Sequence, residues 1–125
     1  MTESDVIAHW RKGARDELES ARLLHAGRQY AGSLFHSHLA VEKALKAAYM
    51  EQCGDEAPYT HNLLDLATLL GRPWTDAQKA ALDRLTDFVV AARYSDPAWA
   101  GQYATAEHAA QGITDARTFL SLPGL

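Results

Sequence analysis

The chain has little of what would mark it as a secreted protein, a membrane protein or a strongly basic nucleic-acid binder. It has a single cysteine, Cys53, so it cannot form an intrachain disulfide. It has no charged-then-apolar leader and no run of about 18 apolar residues, which argues against contact with a membrane. Its formal net charge of -4 excludes a broad basic surface, so any contact with nucleic acid must be local. We therefore expect a soluble, cytoplasmic protein.

What the sequence does contain is helical periodicity. Its 125 residues, 47% hydrophobic and 22% charged, suit one globular domain, residues 1–125, and no segment sustains a period of two. The predicted helices begin at capping residues and end at glycine or proline. They are a long helix from the Thr2/Asp5 capping box to Gly27, a second from about Tyr30 to Cys53, a short one capped by Thr60, a fourth opened by Thr75 and Gln78 that ends near Tyr94, and a last one from about Thr105 to Pro123. The short links predict an all-α fold, an antiparallel up-and-down helical bundle of four main helices plus one short helix.

The stretch FHSHLAVEKALKAAY, residues 35–49, combines a buried helix face with a charged triplet. Val41, Leu45 and Ala48 recur at helical spacing and predict the buried face. The triplet is Glu42, Lys43 and Lys46. Glu42 and Lys46 stand four apart in the favourable order, but such a pair contributes only about 0.2–0.5 kcal/mol. Taken alone, these charges fit a solvated helix face.

The segments around this helix change that interpretation. A Trp-containing first helix is followed by GRQYAGSLFHSHLAVEKALKAAY, then PYTHNLLDL, then VVAARYSDP. In order and spacing this assembly resembles the HEPN family, the higher eukaryotes and prokaryotes nucleotide-binding domain, over nearly the whole chain. The resemblance implies an antiparallel helical bundle that forms homodimers.

Many HEPN members are ribonucleases that use an arginine and a histidine four to six residues after it. Here Arg93 is followed by YSDPAWAGQY, so that histidine is missing, and the next one, His108, falls in the following predicted helix. Metal-free RNA cleavage needs one group for the 2′-hydroxyl proton and another for the phosphate charge. Arg93 could supply only the second, so we assign no catalytic residue.

The chain is more similar to short stand-alone HEPN proteins that accompany a minimal nucleotidyltransferase. This similarity implies a nucleotide- or RNA-binding module with a nucleotidyltransferase-like partner, in a two-component system of the toxin–antitoxin kind. Ser95 and Leu39 depart from that group, where proline and glutamine are usual, and both departures bear on ligand contacts. Two alternatives stay open. One is a metal-independent endoribonuclease whose base is His61 or His108, and the other is a purely structural or regulatory bundle.

The candidate ligand-binding residues come from three segments that we expect around one pocket. They are Glu42, Lys43, Lys46, His61, Arg93, Tyr94 and Asp96. Lysine and arginine suit phosphate, tyrosine can stack on a base, and a histidine at the start of a helix tends to stay neutral. Each also has an ordinary structural role as a helix cap, an ion pair or a half-buried anchor. His38 and Glu42 are aligned on one helix face, but two ligands do not make a metal site, so we predict neither metal nor cofactor.

Overall fold

The computed structural model describes residues 1–94 and 97–125, without the side chains of residues 93, 94, 99 and 100. Most of the described residues are helical. The helices are α1 (Glu3–Ala26), α2 (Tyr30–Cys53), α3 (Leu63–Leu69), α4 (Asp76–Tyr94), α5 (Pro97–Tyr103) and α6 (Ala106–Leu120). Four are long, and they confirm the predicted all-α bundle. Among the described residues, no helix is both long enough and apolar enough to cross a membrane.

The helix ends follow the capping residues that the sequence offers. At the start of α1, the Thr2 amide donates to the Asp5 carboxylate at 2.9 Å and the Asp5 amide donates to the Thr2 hydroxyl at 3.1 Å. Thr75 and Gln78 make the same reciprocal bonds before α4, at 2.8 and 3.1 Å. Helix α2 ends at Gly54, whose φ of 76° is strained for any residue with a Cβ.

Two details differ from the sequence prediction. Helix α3 begins at Leu63 and its N-cap is Asn62, whose side chain accepts from the Asp65 amide at 3.0 Å. Thr60, the predicted cap, accepts from the Asn62 amide at 3.1 Å in a local turn instead. Helix α5 was not predicted, because Pro97 was interpreted only as a stop for α4. Proline is tolerated in the first turn of a helix, and α5 begins at this residue.

Helix α2 is the central element of the bundle, since it contacts α1, α3, α4 and α6. The core around it contains the fully buried side chains Leu45, Leu66, Leu82, Leu85 and Phe119. One side of α2 is less well covered, and on it Phe35 and Leu39 are only half-buried. The charged residues Glu42, Lys43 and Lys46 of α2 make their contacts with one another, with α1 and with the link before α3.

Candidate functional site

Glu42 is a buried carboxylate in the middle of α2. The residue is only 5% exposed. Its Oε1 accepts a hydrogen bond of 2.7 Å from Nδ1 of His61, and its Oε2 accepts one of 3.3 Å from Nζ of Lys46. A buried charge needs partners of this kind because desolvation penalises it strongly. One network therefore joins Glu42, Lys46 and His61. Because Nδ1 of His61 bonds a carboxylate, which can only accept, the proton of the neutral ring is on Nδ1.

His38 of α2 bonds the backbone of the link that carries His61. Its Nε2–H donates to the carbonyl oxygen of His61 at 2.8 Å, while its Nδ1 lies 3.9 Å from Oε1 of Glu42. Burial lowers the pKa of His38, against the raising effects of the His61 carbonyl and the Glu42 carboxylate, which favours the neutral ring. His61 precedes Asn62, so it lies in the link before α3 and not in the helix. Helix α2 thus fixes both the backbone and the side chain of His61.

Acidification is expected to weaken the fold in part through His38. A histidine whose pKa is lowered by folding binds protons more readily in the unfolded chain. Well above pH 6.5, His38 is neutral in both the folded and the unfolded chain, so it does not affect the free energy of unfolding. As the pH falls below 6.5 towards the lower pKa of the folded state, the unfolded chain binds the proton more readily, and the folded state loses stability. His38→Gln keeps an N–H donor for the His61 carbonyl and does not titrate. Urea unfolding at a series of pH values from neutral to mildly acidic should show a shallower pH dependence for the variant, and equal slopes would contradict this prediction.

A groove between α2 and α4 opens beside His61. Phe35, Leu39, Val89 and Val90 form its apolar walls, and its volume is about 410 Å³. His61, Asn62 and Thr86 add polar groups, and buried His38 also lines it. The His61 side chain is 61% exposed. Its Nδ1 bonds Glu42, and no described residue bonds its Nε2. An apolar cavity with a few polar groups is the usual form of a small-molecule site.

The α4 end of the predicted site falls outside the described residues. Arg93 is in α4 one helical turn after Val89, but its side chain and that of Tyr94 are not described. Asp96 is not described at all. Of the seven predicted residues, the structure therefore places four.

Lys43 lies apart from the other three and belongs to the contact between α1 and α2. Its Nζ donates to Oε1 of Glu17 at 2.8 Å, and Nδ1 of His36 contacts the other oxygen of that carboxylate. Burial would raise the pKa of Glu17, but the hydrogen bonds from Lys43 and His36 outweigh it and lower the pKa. Within the described part of the chain, no group of three or more His, Cys, Asp or Glu side chains is placed to hold a metal ion.

Two aromatic residues near Lys46 were not among the predicted site residues. The Lys46 ammonium lies 5.9 Å from the ring centre of Trp10 and 6.0 Å from that of Tyr59. In the sequence, Trp10 is one apolar residue of an amphipathic helix, and nothing indicates that it faces Lys46. Tyr59 did carry a signal, because an aromatic ring is unusual in the polar turn segment GDEAPY.

Comparison with known proteins agrees with this architecture. Residues 7–123 match the HEPN domain family. The chain belongs to the HEPN domain family. The fold of this HEPN domain is also similar to the crystal structure of TT1696 from Thermus thermophilus, with a TM-score of 0.81 and 26% sequence identity over 92% of this chain and 93% of that one. A comparison of this chain with curated proteins finds no match.

The geometry of this HEPN domain defines what its described residues can do. The charges of Lys43 and Lys46 are each balanced by a carboxylate, so neither is an isolated site for phosphate. His61 is different, because a buried carboxylate orients its ring and its Nε2 can accept a proton or a hydrogen bond at the groove. A histidine held in this way suits ligand recognition or proton transfer.

Proposed function

We propose that this HEPN domain is a homodimeric module that binds nucleotides or RNA and works with a nucleotidyltransferase-like partner in a toxin–antitoxin-like system. The observation that carries the binding proposal is the groove between α2 and α4 with His61 at its polar end. Its apolar walls suit a base, Nε2 of His61 can accept a hydrogen bond from a ribose hydroxyl, and the side-chain amide nitrogen of Asn62 can donate to ribose or phosphate. The proposed ligand contacts remain Glu42, Lys43, Lys46, His61, Arg93, Tyr94 and Asp96. Glu42 would act through His61, and Lys43 and Lys46 line neighbouring clefts and not the groove itself.

The binding proposal predicts that His61→Ala weakens ligand binding about 10-fold, the effect of losing one hydrogen bond of about 1.4 kcal/mol. Isothermal titration measures the affinity for AMP, and fluorescence anisotropy measures the affinity for a labelled single-stranded RNA. His25→Ala is a matched control, since His25 is a half-buried histidine with one bond of 3.1 Å to the Ala106 carbonyl, away from the groove. Absence of binding to both ligands in the unmodified protein would refute the proposal.

Homodimer formation is supported by the less covered side of α2. Phe35 and Leu39 are half-buried there, and Val90 of α4 is 51% exposed beside them. An exposed apolar patch of this kind is commonly a surface for interaction with another protein chain. A second copy of the chain would supply the cover for Leu39 and Val90, with the groove opening at the contact between the copies.

The nucleotidyltransferase-like partner is supported by the resemblance to stand-alone HEPN proteins of that kind. Its test is affinity purification of the tagged chain from its native cell, followed by mass spectrometry. A stoichiometric nucleotidyltransferase would support the partnership, and a chain purified without one would count against it.

A metal-independent endoribonuclease is the second candidate, because Glu42 orients the His61 ring for proton transfer. This observation favours His61 over His108 as the displaced base. The ring of His108 stacks on Phe88 with centres 4.6 Å apart, and its Nδ1 bonds the Tyr103 carbonyl at 2.9 Å, so it takes part in packing. RNA left intact after long incubation with the protein in the presence of a chelator would remove this candidate.

A further inference from the structure

Trp10 of α1 lines two neighbouring clefts on the surface of the bundle. One cleft, of about 260 Å³, has the apolar side chains of Val6, Met50 and Ala57 in its lining. The other, of about 230 Å³, lies towards Gly13. The half-buried indole is the element that the two clefts share. Each cleft is too small for a drug-sized molecule but suits a planar ring beside an aromatic side chain.

Each of these clefts contains one lysine. Lys46 lines the larger cleft and Lys43 the smaller one. The larger cleft also contains the acidic residue Glu56. Because Lys43 is paired with Glu17 and Lys46 with Glu42, the two cations add local contacts for phosphate without a strong positive field. This arrangement agrees with the net charge of -4, and it requires most of the binding free energy to come from the rings.

Tyr59 connects the larger cleft to the groove at His61. The tyrosine is 90% exposed, although it lies in the link that Glu42 and His38 anchor to α2 through His61. Its ring meets the His61 ring edge-on, with centres 5.2 Å apart. An exposed aromatic ring beside a cleft is available for stacking by a ligand. The groove, Tyr59 and Trp10 thus follow one another through His61 and Lys46, which Tyr59 contacts on either side.

From this juxtaposition we infer that Trp10 and Tyr59 are stacking surfaces for successive bases of a single-stranded RNA whose backbone passes Lys43, Lys46 and His61. The inference rests on the proposed RNA-binding function and adds the site that holds the bases. A single strand is required because the bases of a duplex are already stacked and paired, which leaves their faces inaccessible to Trp10 and Tyr59. Among the described side chains, two lysines lie along this path, and each is already paired with a carboxylate. The salt dependence should therefore be shallow, with a slope of log K against log salt no steeper than about -1.4, from about -0.7 per phosphate.

The test uses Trp10 as its own reporter. The chain has three tryptophans, so Trp74→Phe combined with Trp99→Phe leaves Trp10 as the sole tryptophan. Titration with an eight-residue oligouridylate should quench its fluorescence. In anisotropy measurements, Trp10→Ala and Tyr59→Ala should each weaken binding between about 5-fold and 150-fold, the effect of losing one stacked base. Trp10→Phe, which keeps a ring, should retain most of the affinity.

Two controls separate stacking from loss of the fold. Tyr59 is so exposed that Tyr59→Ala should leave the fold intact. Trp74→Phe alone should bind RNA normally, because the half-buried Trp74 indole donates to the Ala67 carbonyl at 2.8 Å and packs on buried Phe119, and it lines neither cleft.

The outcomes distinguish the stacking site from RNA binding as such. RNA binding with unchanged affinity in both Trp10→Ala and Tyr59→Ala would overturn the stacking site and leave the proposed function standing. An absence of RNA binding in the unmodified protein would overturn both. Affinity for uridine monophosphate equal to that for the oligomer, or a salt slope several times steeper than expected, would also overturn the assignment to a track of successive bases.

Discussion

Glu42→Ala is expected to lower the free energy of unfolding by about 3 kcal/mol, near the lower end of the range for breaking a buried ion pair. The substitution leaves the ammonium of Lys46, whose side chain is 13% exposed, without its carboxylate. It also releases the side chain of His61, but this ring is 61% exposed and regains hydrogen bonds to water, which limits the loss. Urea unfolding at pH 7, followed by circular dichroism, measures the effect.

Glu19→Ala provides the control for this experiment, since Glu19 pairs with Arg22 on the exposed surface of α1 at 3.0 Å. Its effect should stay below about 0.5 kcal/mol. A similarly small change for Glu42→Ala would mean that the network does not stabilise the fold. Glu42→Gln keeps the shape and removes the charge, so it also addresses the purely structural alternative. Reduced stability with unchanged ligand affinity would favour that alternative over a binding role for the network.

The helices were largely predictable because their end signals are local. The Thr2/Asp5 capping box and Gly54 determine where α1 begins and α2 ends through contacts within four residues. The start of α3 was less clear, because Thr60 and Asn62 can both cap a helix and both accept a backbone N–H here. Helix α5 was missed because Pro97 fits both the end of one helix and the first turn of the next.

From the residue pattern alone, the candidate site was predictable only where it follows helical spacing. The resemblance to the HEPN family was what grouped Glu42 and His61 around one expected pocket. The pairing of Glu42 with Lys46 is a contact between residues four apart, and it is present. The separation of Lys43 from Lys46 was not predictable, because the direction of a lysine depends on which helix supplies its carboxylate, and α1 supplies Glu17. The contacts of His61 with Glu42 and of Lys46 with Trp10 join segments far apart in the chain, and no periodicity within one helix encodes them.

Leu39→Glu is expected to weaken the proposed homodimer at least about 100-fold, which corresponds to about 2.7 kcal/mol. In a two-fold symmetric contact each substitution occurs twice, so two carboxylates lose water and face the same apolar surface. Because Leu39 is only half-buried within one chain, the fold itself should tolerate the change. Sedimentation velocity over a range of protein concentrations measures the dissociation constant.

The control for the dimer experiment is Leu23→Glu, which places the same charge on another solvent-accessible leucine, 63% exposed on α1. This variant should dimerise like the unmodified chain, so that a loss seen only with Leu39→Glu locates the contact on the α2 side. An unmodified chain that stays monomeric at all concentrations would exclude the homodimer. Dimerisation unaffected by Leu39→Glu would instead move the contact to another surface, and the groove beside His61 would then be open to ligand without a second copy of the chain.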